Sequence, residues 1–92
     1  MALGENSKKI SFTIYPNPVA ERAIVKVNIP VAGEMRLLLF DMNGEKILEL
    51  NNGFCSEGEH HYSFSKEQLK TGVYLCSLIT KGQVISKRVT IL

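Results

Sequence analysis

The residues best suited to chemistry in this chain lie close together: Cys55, Glu57, Glu59, His60 and His61. Thiolate, imidazole and carboxylate groups are the ligands that zinc prefers, so this segment raises the question of a metal site. Adjacent residues of an extended strand point to opposite faces, which makes it hard for His60 and His61 to hold one ion together. Spacings such as C-x-x-C and H-x-x-x-H are missing as well. We therefore predict two histidines on an edge strand, with no metal site.

Hydrolytic chemistry has equally little support. Glu57 and Glu59 stand two residues apart in a segment leading into a strand, where they are better explained as solvated charges that protect a sheet edge. The chain contains no G-x-S-x-G nucleophile elbow, and its seven glycines are dispersed instead of forming a phosphate-binding loop. We expect no catalytic residue and no cofactor.

The two cysteines leave two interpretations open. Cys55 and Cys76 could form a disulfide, or both could be free thiols with Cys76 serving as a small core residue. Tyr74 stands two residues before Cys76 and follows Gly72, a pattern that resembles the tyrosine corner of immunoglobulin-type sandwiches. The chain has no tryptophan, so the full signature of an antibody domain is missing.

Tyr15-Pro16-Asn17-Pro18 is the most unusual segment of the chain. Its prolines fix two φ angles, favour extended residues before them and remove two backbone donors. One interpretation is a rigid exit from the first strand that prevents edge pairing. The other is a preshaped, exposed epitope that loses little conformational entropy on binding.

These residues are positioned by strands, because alternation of apolar and other residues dominates the chain. Val25, Val27 and Ile29 share one face of an extended segment, which predicts a half-buried strand. Similar runs predict strands at Ile10–Tyr15, Met35–Asp41, Lys46–Asn51, Glu59–Phe64, Val73–Thr80 and Val84–Leu92. Seven short strands spaced about every 8–12 residues indicate an all-β fold, a seven-stranded antiparallel immunoglobulin/fibronectin-like β-sandwich.

Turn residues separate the strands. Asn43-Gly44, which follows Asp41, is a strong hairpin signal because both residues tolerate positive φ. Lys81-Gly82 predicts a second hairpin, and Asn51-Asn52-Gly53 a further break that leaves Cys55 in a loop. Ser65 and Gln68 have capping-box spacing, which predicts one short helical turn crossing between the sheets.

Length and charge limit the function classes. A chain of 92 residues forms one domain, too small to enclose a substrate readily, which disfavours an enzyme. Its net charge of +2 is small and its basic residues are scattered along the chain, which disfavours nucleic-acid binding. We predict a β-sandwich domain over residues 10–92, preceded by a flexible lead-in or linker over residues 1–9.

Five segments carry a resemblance to a known family. They are Tyr15-Pro16-Asn17-Pro18-Val19, Val25-x-Val27-x-Ile29-Pro30-x-x-Gly33, Leu37–Gly44, Leu69–Leu75 and Lys87–Leu92. In order and spacing they resemble the C-terminal sorting domain of the type IX (Por) secretion system of Bacteroidetes-type bacteria. The likeness covers about residues 12–92.

The resemblance implies a secretion signal without catalysis of its own. Such a domain ends a larger cargo protein, passes through the periplasm and directs the cargo through the outer-membrane translocon to the cell surface or medium. A sortase-like signal peptidase then typically removes it, which here implies cleavage within residues 1–9. The implied recognition residues are Pro16, Asn17, Pro18, Lys87, Arg88, Val89, Thr90, Ile91 and Leu92. The implied structural motif residues are Tyr15, Asp41, Asn43, Gly44, Gly72 and Tyr74.

An alternative remains from another class, an immunoglobulin-like accessory module that binds carbohydrate or acts as a spacer in a surface enzyme. The lack of tryptophan argues against sugar binding, which commonly uses exposed aromatic platforms. The open strand edges of a sandwich also predict that isolated copies can pair through their strands.

Overall fold

The computed structural model describes residues 9–92, so residues 1–8 of the predicted lead-in lie outside the described part. Alternating residues build strands that begin and end close to the predicted positions, except that β4 ends four residues later than predicted. The strands are β1 (Ser11–Tyr15), β2 (Arg22–Ile29), β3 (Gly33–Asp41), β4 (Lys46–Cys55), β5 (Gly58–Ser65), β6 (Gly72–Thr80) and β7 (Gln83–Ile91). A short 3₁₀ helix (Lys66–Gln68) connects β5 to β6. Within residues 9–92, no helix has the length and apolar character needed to cross a membrane.

The strands form two antiparallel sheets. A three-stranded sheet has the order β1-β2-β5, and a four-stranded sheet has the order β4-β3-β6-β7. The predicted seven-stranded antiparallel sandwich is confirmed. Relative to the constant-type immunoglobulin arrangement, the fourth strand pairs with the third strand in the second sheet instead of lying in the first.

The core lies between the two sheets and follows the alternation of the sequence. In β2, Val25 and Val27 are fully buried, and they belong to the same cluster as Leu37 and Leu39 of β3. Burying one such side chain contributes about 1.5–3 kcal/mol relative to leaving it in water. Because every strand contributes residues to this cluster, the strand order and the register of both sheets are fixed by one shared core.

The hairpin between β3 and β4 occurs where it was predicted, but its turn is different. Only Gly44 has positive φ, at 87°, and Asn43 does not. The Gly44 N–H donates to the Asp41 carbonyl at 3.0 Å, which closes a four-residue turn. The Asp41 carboxylate also accepts from the backbone N–H groups of Asn43 and Glu45, both at 2.9 Å. Asp41 therefore organises the turn from its first position, and Gly44 supplies the left-handed residue.

The predicted break at Asn51-Asn52-Gly53 is wrong, because β4 continues through these residues to Cys55. Pairing with β3 supplies the backbone partners that the local sequence does not promise, as Arg36 pairs with Asn52. The ladder absorbs an irregularity between Leu37 and Leu38, where the register shifts. Cys55 is therefore the last residue of a strand instead of part of a loop.

The helical turn after β5 has the predicted capping box. The Glu67 N–H donates to Ser65 Oγ at 3.1 Å, and the Ser65 N–H donates to Gln68 Oε1 at 3.0 Å. Beyond it, the Tyr74 hydroxyl donates to the Lys70 carbonyl at 2.6 Å. This is the bond of a tyrosine corner, and it secures the crossing between the sheets. Gly72, which lies between Lys70 and Tyr74, has a φ of 152°, a value that residues with a side chain rarely adopt.

Candidate recognition site at the C-terminal strand

Asn17 lies against the outer edge of the C-terminal strand, although 71 positions separate it from Arg88. Its side-chain Nδ2 donates to the Arg88 carbonyl at 3.0 Å, and its Oδ1 accepts the Thr90 N–H at 3.1 Å. One amide side chain thus satisfies a donor and an acceptor on the strand edge, as a neighbouring strand would. The corner formed by Pro16, Asn17 and Pro18 is therefore placed against β7.

Val19 continues this contact along the same edge. Its N–H donates to the Thr90 carbonyl at 2.8 Å, and the Leu92 N–H donates to the Val19 carbonyl at 2.9 Å. The Val19 side chain is fully buried, and the backbone of Val19 pairs with that of Ile91 in an isolated parallel bridge. Asn17 and Val19 together close the edge of β7 from Arg88 to Leu92. We call this arrangement the clasp.

The adjacent cations Lys87 and Arg88 occupy different environments. Lys87 shares a strand face with the buried Val89. Its Nζ donates to the Phe12 carbonyl at 2.6 Å and lies 5.2 Å from the centroid of the Phe12 ring. Arg88 points to the opposite face and is exposed to solvent. Lys87 therefore joins β7 to β1, while the Arg88 side chain is presented outward.

The other predicted recognition residues divide in the same way. Val89 and Ile91 are buried at 0% and 1% exposure and are parts of the core. Thr90 is partly buried, and its backbone is held on both sides of the strand. Leu92 is 54% exposed. The side chains of this strand that reach solvent are thus fewer than the sequence motif suggests.

The two prolines of the corner are both exposed. The Tyr15-Pro16 and Asn17-Pro18 peptide bonds are cis. Tyr15 ends β1 and is 46% exposed. The corner therefore follows the first strand and lies on the edge of β7, with both prolines accessible to solvent, and its role as an epitope stays a prediction.

The candidate disulfide does not form, and Cys55 and Cys76 are free, buried thiols. Cys55 pairs with Gly33 of β3 and Cys76 pairs with Leu39 of the same strand. Six residues along a strand separate the two positions by about 20 Å, whereas a disulfide needs Cα atoms within about 7 Å. Burial raises the pKa of the Cys76 thiol to about 12, which keeps it protonated and unreactive.

Cys55 contributes to a small polar cluster inside the sandwich. Asn51 Nδ2 donates to its Sγ at 3.4 Å, and the Tyr62 hydroxyl lies 3.6 Å from the same sulfur. Burial, together with the contact to Cys55, raises the pKa of Tyr62 to about 12. Asn51 also donates to the Met35 carbonyl at 2.9 Å. These bonds hold the end of β4 against the facing sheet, which is a structural role.

The histidines lie on β5, which is an edge strand as predicted. His60 bonds the Ser56 carbonyl at 2.8 Å, and His61 is exposed on the other face. Glu59 forms an ion pair with Lys26 at 3.0 Å, and its hydrogen bond and negative charge raise the pKa of Lys26. No group of three or more His, Cys, Asp or Glu residues within residues 9–92 could hold a metal ion.

Two residues of the site were not identified from the sequence, Phe12 and Val19. The alternation of β7 contained the signal for Phe12, because it places Lys87 on the core side with Val89 and Ile91. No local signal pointed to the pairing of Val19 with the last strand, since this contact joins the two ends of the described chain.

Comparison with known proteins gives a family and a structural neighbour. The crystal structure of the Ig1 domain of mouse SynCAM 2 is similar, with 15% sequence identity and a TM-score of 0.49 over 87% of this chain and 91% of that chain. No curated protein sequence matches the chain. The model of the secretion system C-terminal sorting domain matches residues 13–92. This match covers both the Pro-Asn-Pro corner and the last strand, and it shows that the chain belongs to the C-terminal sorting domain family of the type IX secretion system.

Proposed function

We propose that this domain directs a preceding cargo protein across the outer membrane through the type IX translocon, and that the machinery recognises it as a folded unit. The family match supports a sorting signal. The observation that carries the rest is the clasp, in which Asn17 bonds the backbone of Arg88 and Thr90 at 3.0 and 3.1 Å. The two segments expected to be recognised therefore form one surface only when the chain is folded.

In this proposal, the side chains of the C-terminal strand have separate roles. Val89 and Ile91 anchor the strand in the core, and Lys87 fastens it to β1. Arg88, Thr90 and the exposed prolines of the corner then form the surface presented to the machinery. The machinery would then not recognise an unfolded domain. In the unfolded chain Arg88 and Thr90 lose their bonds to Asn17, so the corner and the last strand no longer form one surface.

Removal of the domain belongs to the same proposal. A sortase-like signal peptidase would cleave within residues 1–9 after transport, leaving the cargo at the cell surface or in the medium. Lys9 is exposed, and β1 begins two residues later, at Ser11. Cleavage before Ser11 would thus leave all seven strands of the sandwich together.

The accessory-module alternative has weaker support. Two aromatic side chains are strongly exposed among the described residues, Tyr15 at 46% and Phe54 at 69%. Tyr15 ends β1 of the three-stranded sheet, whereas Phe54 lies on β4 of the four-stranded sheet. They do not form the shared aromatic platform on which a sugar could stack.

Pairing of isolated copies through their strands stays a proposal, and only some strand edges are free for it. The second half of β7 is occupied by Asn17 and Val19. Pairing would therefore use β1, β4, β5 or the first half of β7, each of which has a neighbour on one side only.

A fusion experiment tests the proposed function. The full chain is placed behind a Sec signal and a fluorescent reporter, in a type IX-competent host and in a translocon-deficient one. We expect the reporter at the surface or in the medium of the competent host only, and deletion of Thr90-Ile91-Leu92 should retain it in the periplasm. Retention of the intact fusion in both hosts would contradict the proposal.

A further inference from the structure

We propose that the machinery docks on the solvent side of β6 and β7 and contacts side chains of these two strands. The surface of the machinery that meets them is apolar and carries a carboxylate that faces Arg88. This inference rests on the proposed function and specifies its partner surface. We call the side chains concerned the outer face. It consists of Val73, Leu75, Ser77 and Ile79 of β6 and Val84, Ser86, Arg88 and Thr90 of β7.

The direction of approach follows from what is already occupied around the last strand. The inward side of β7 is closed, because Val89 and Ile91 are buried in the core. Its edge is closed from Arg88 to Leu92 by the backbone and side-chain bonds of the clasp. A partner that binds the segment from Arg88 to Leu92 in the folded domain must therefore contact it from the solvent side. This geometry favours recognition through side chains over addition of a strand at this edge.

The composition of the outer face fits a protein partner. Pairing across β6 and β7 places Leu75 opposite Arg88, Val73 opposite Thr90 and Ile79 opposite Val84. Val84 is 64% exposed and Val73 is 37% exposed. These two valines lie at opposite ends of the pair, and the half-buried Leu75 and Ile79 with the buried Ser77 join them into one shallow apolar strip. Apolar surface that reaches solvent in this way can mark an interaction site in a folded protein.

The apolar character continues onto part of the neighbouring strand β3, whose exposed Arg36 lies opposite Ile79 on the same side of the sheet. Leu38 pairs with Ser77, and Phe40 pairs with Leu75, so both lie on the same side of the sheet as the outer face. Leu38 is only 2% exposed, although it is not part of the inter-sheet core cluster. The four-stranded sheet thus carries a second, shallow apolar layer on its solvent side.

The solvent side of the other sheet is different. The residues of β2 and β5 that share this side are mostly polar, as the pairs Lys26–His61 and Asn28–Glu59 illustrate. Lys26 and Glu59 neutralise each other in an ion pair at 3.0 Å. Because both sheets meet the same solvent, solvation alone does not explain why one of them carries apolar side chains outward.

Arg88 determines the charge that the partner should carry. The ion pairs within residues 9–92 join Lys26 to Glu59 and Lys46 to Glu49, and Arg88 forms neither. On the outer face it is the only charged side chain, and its pairing neighbour is Leu75. Burying such a guanidinium against an apolar partner is unfavourable unless a carboxylate or a comparable acceptor meets it. An apolar protein surface containing one carboxylate satisfies both requirements.

Matched variants of the full reporter fusion test the inference. Val84→Glu and Arg88→Glu change the outer face at exposed positions, so the domain should still fold, as its thermal unfolding will verify. Val31→Glu and Arg22→Glu introduce the same changes elsewhere, since Val31 is 73% exposed between β2 and β3 and Arg22 is exposed on β2. We expect export to fall about ten-fold or more for both outer-face variants, which corresponds to one decade in affinity. Val31→Glu, Arg22→Glu and the charge-preserving Arg88→Lys should be exported normally.

The possible outcomes distinguish a failure of the docking surface from a failure of the sorting role. Normal export of Val84→Glu and Arg88→Glu, with the intact fusion exported only by the competent host, would overturn the docking surface and leave the sorting role standing. Equal losses in the outer-face variants and in Val31→Glu and Arg22→Glu would also overturn it. Failure of the intact fusion in both hosts would overturn the sorting role itself.

Discussion

The Lys87 ammonium joins the last strand of the sandwich to the first, with its Nζ 2.6 Å from the Phe12 carbonyl oxygen and 5.2 Å from the Phe12 ring centroid. Phe12 is buried at 2% exposure, so this contact lies at the margin of the core. Its neighbour Arg88 makes no comparable contact through its side chain. The two adjacent cations thus differ, because Lys87 has a structural contact and the Arg88 side chain is left for the recognition that we propose.

Replacing Lys87 with Met should therefore destabilise the domain more than replacing Arg88 with Met. Lys87→Met loses a charge-assisted hydrogen bond and a cation–π contact, which together are worth about 1–2 kcal/mol. Arg88→Met should change the free energy of unfolding by less than about 0.5 kcal/mol, because Arg88 is exposed and its side chain forms neither of the ion pairs within residues 9–92. Urea denaturation of both variants measures the difference. Equal effects would contradict the separate roles.

The tyrosine corner should contribute measurably to stability. Tyr74→Phe removes the bond to the Lys70 carbonyl at 2.6 Å and leaves that carbonyl without its partner. We expect a loss of about 1–2 kcal/mol in the free energy of unfolding. Tyr15→Phe is the matched control, since Tyr15 is 46% exposed and should tolerate the change. An unchanged urea midpoint for Tyr74→Phe would show that the corner does not support the crossing.

Loss of the clasp should be visible locally as well as globally. Asn17→Ala removes the bonds to Arg88 and Thr90, which should lower the free energy of unfolding by about 1–2 kcal/mol. The Thr90 amide, which donates to Asn17 Oδ1 at 3.1 Å, should exchange with solvent markedly faster. Asn28→Ala, at an exposed position of β2, serves as control. Unchanged exchange at Thr90 in Asn17→Ala would contradict the clasp.

Alkaline pH should destabilise the domain partly through Cys76. Burial raises the pKa of this thiol from 9.0 to about 12 in the folded state, so the unfolded chain releases its proton first. The stabilisation is complete below pH 9 and is lost as the pH rises through the folded pKa. At pH 10 the loss should be about 1 kcal/mol. Comparing the unfolding free energies of the wild type and Cys76→Ala at pH 8 and pH 10 isolates this contribution, and parallel declines would contradict it.

The sequence contained enough information for the fold but only part of the site. Alternating residues such as Val25, Val27 and Ile29 fixed the strand faces, because a shift by one residue would expose the whole apolar set. The break expected at Asn51-Asn52-Gly53 failed, since pairing with β3 overrides the local turn preference. The turn preference of these residues describes the isolated segment, and hydrogen bonding to the central strand β3 makes the segment extended instead.

The site was harder to predict because its main contacts join distant positions. The bonds of Asn17 to Arg88 and Thr90 span 71 and 73 positions, and nothing local encodes them. The different orientations of Lys87 and Arg88, in contrast, follow from strand alternation alone. Cys55 and Cys76 show the opposite case, since spacing permitted a disulfide that the register of β3 excludes.

The most direct test of the account is export of the reporter fusion carrying Asn17→Ala, compared with the fusion carrying Tyr74→Phe. Both changes should cost similar free energy of unfolding, but only the first releases the C-terminal strand from the Pro-Asn-Pro corner. Measured at a temperature where both domains are folded, Asn17→Ala should retain its cargo in the periplasm and Tyr74→Phe should export it. Export of both at the same level would contradict the claim that the machinery recognises the clasped strand.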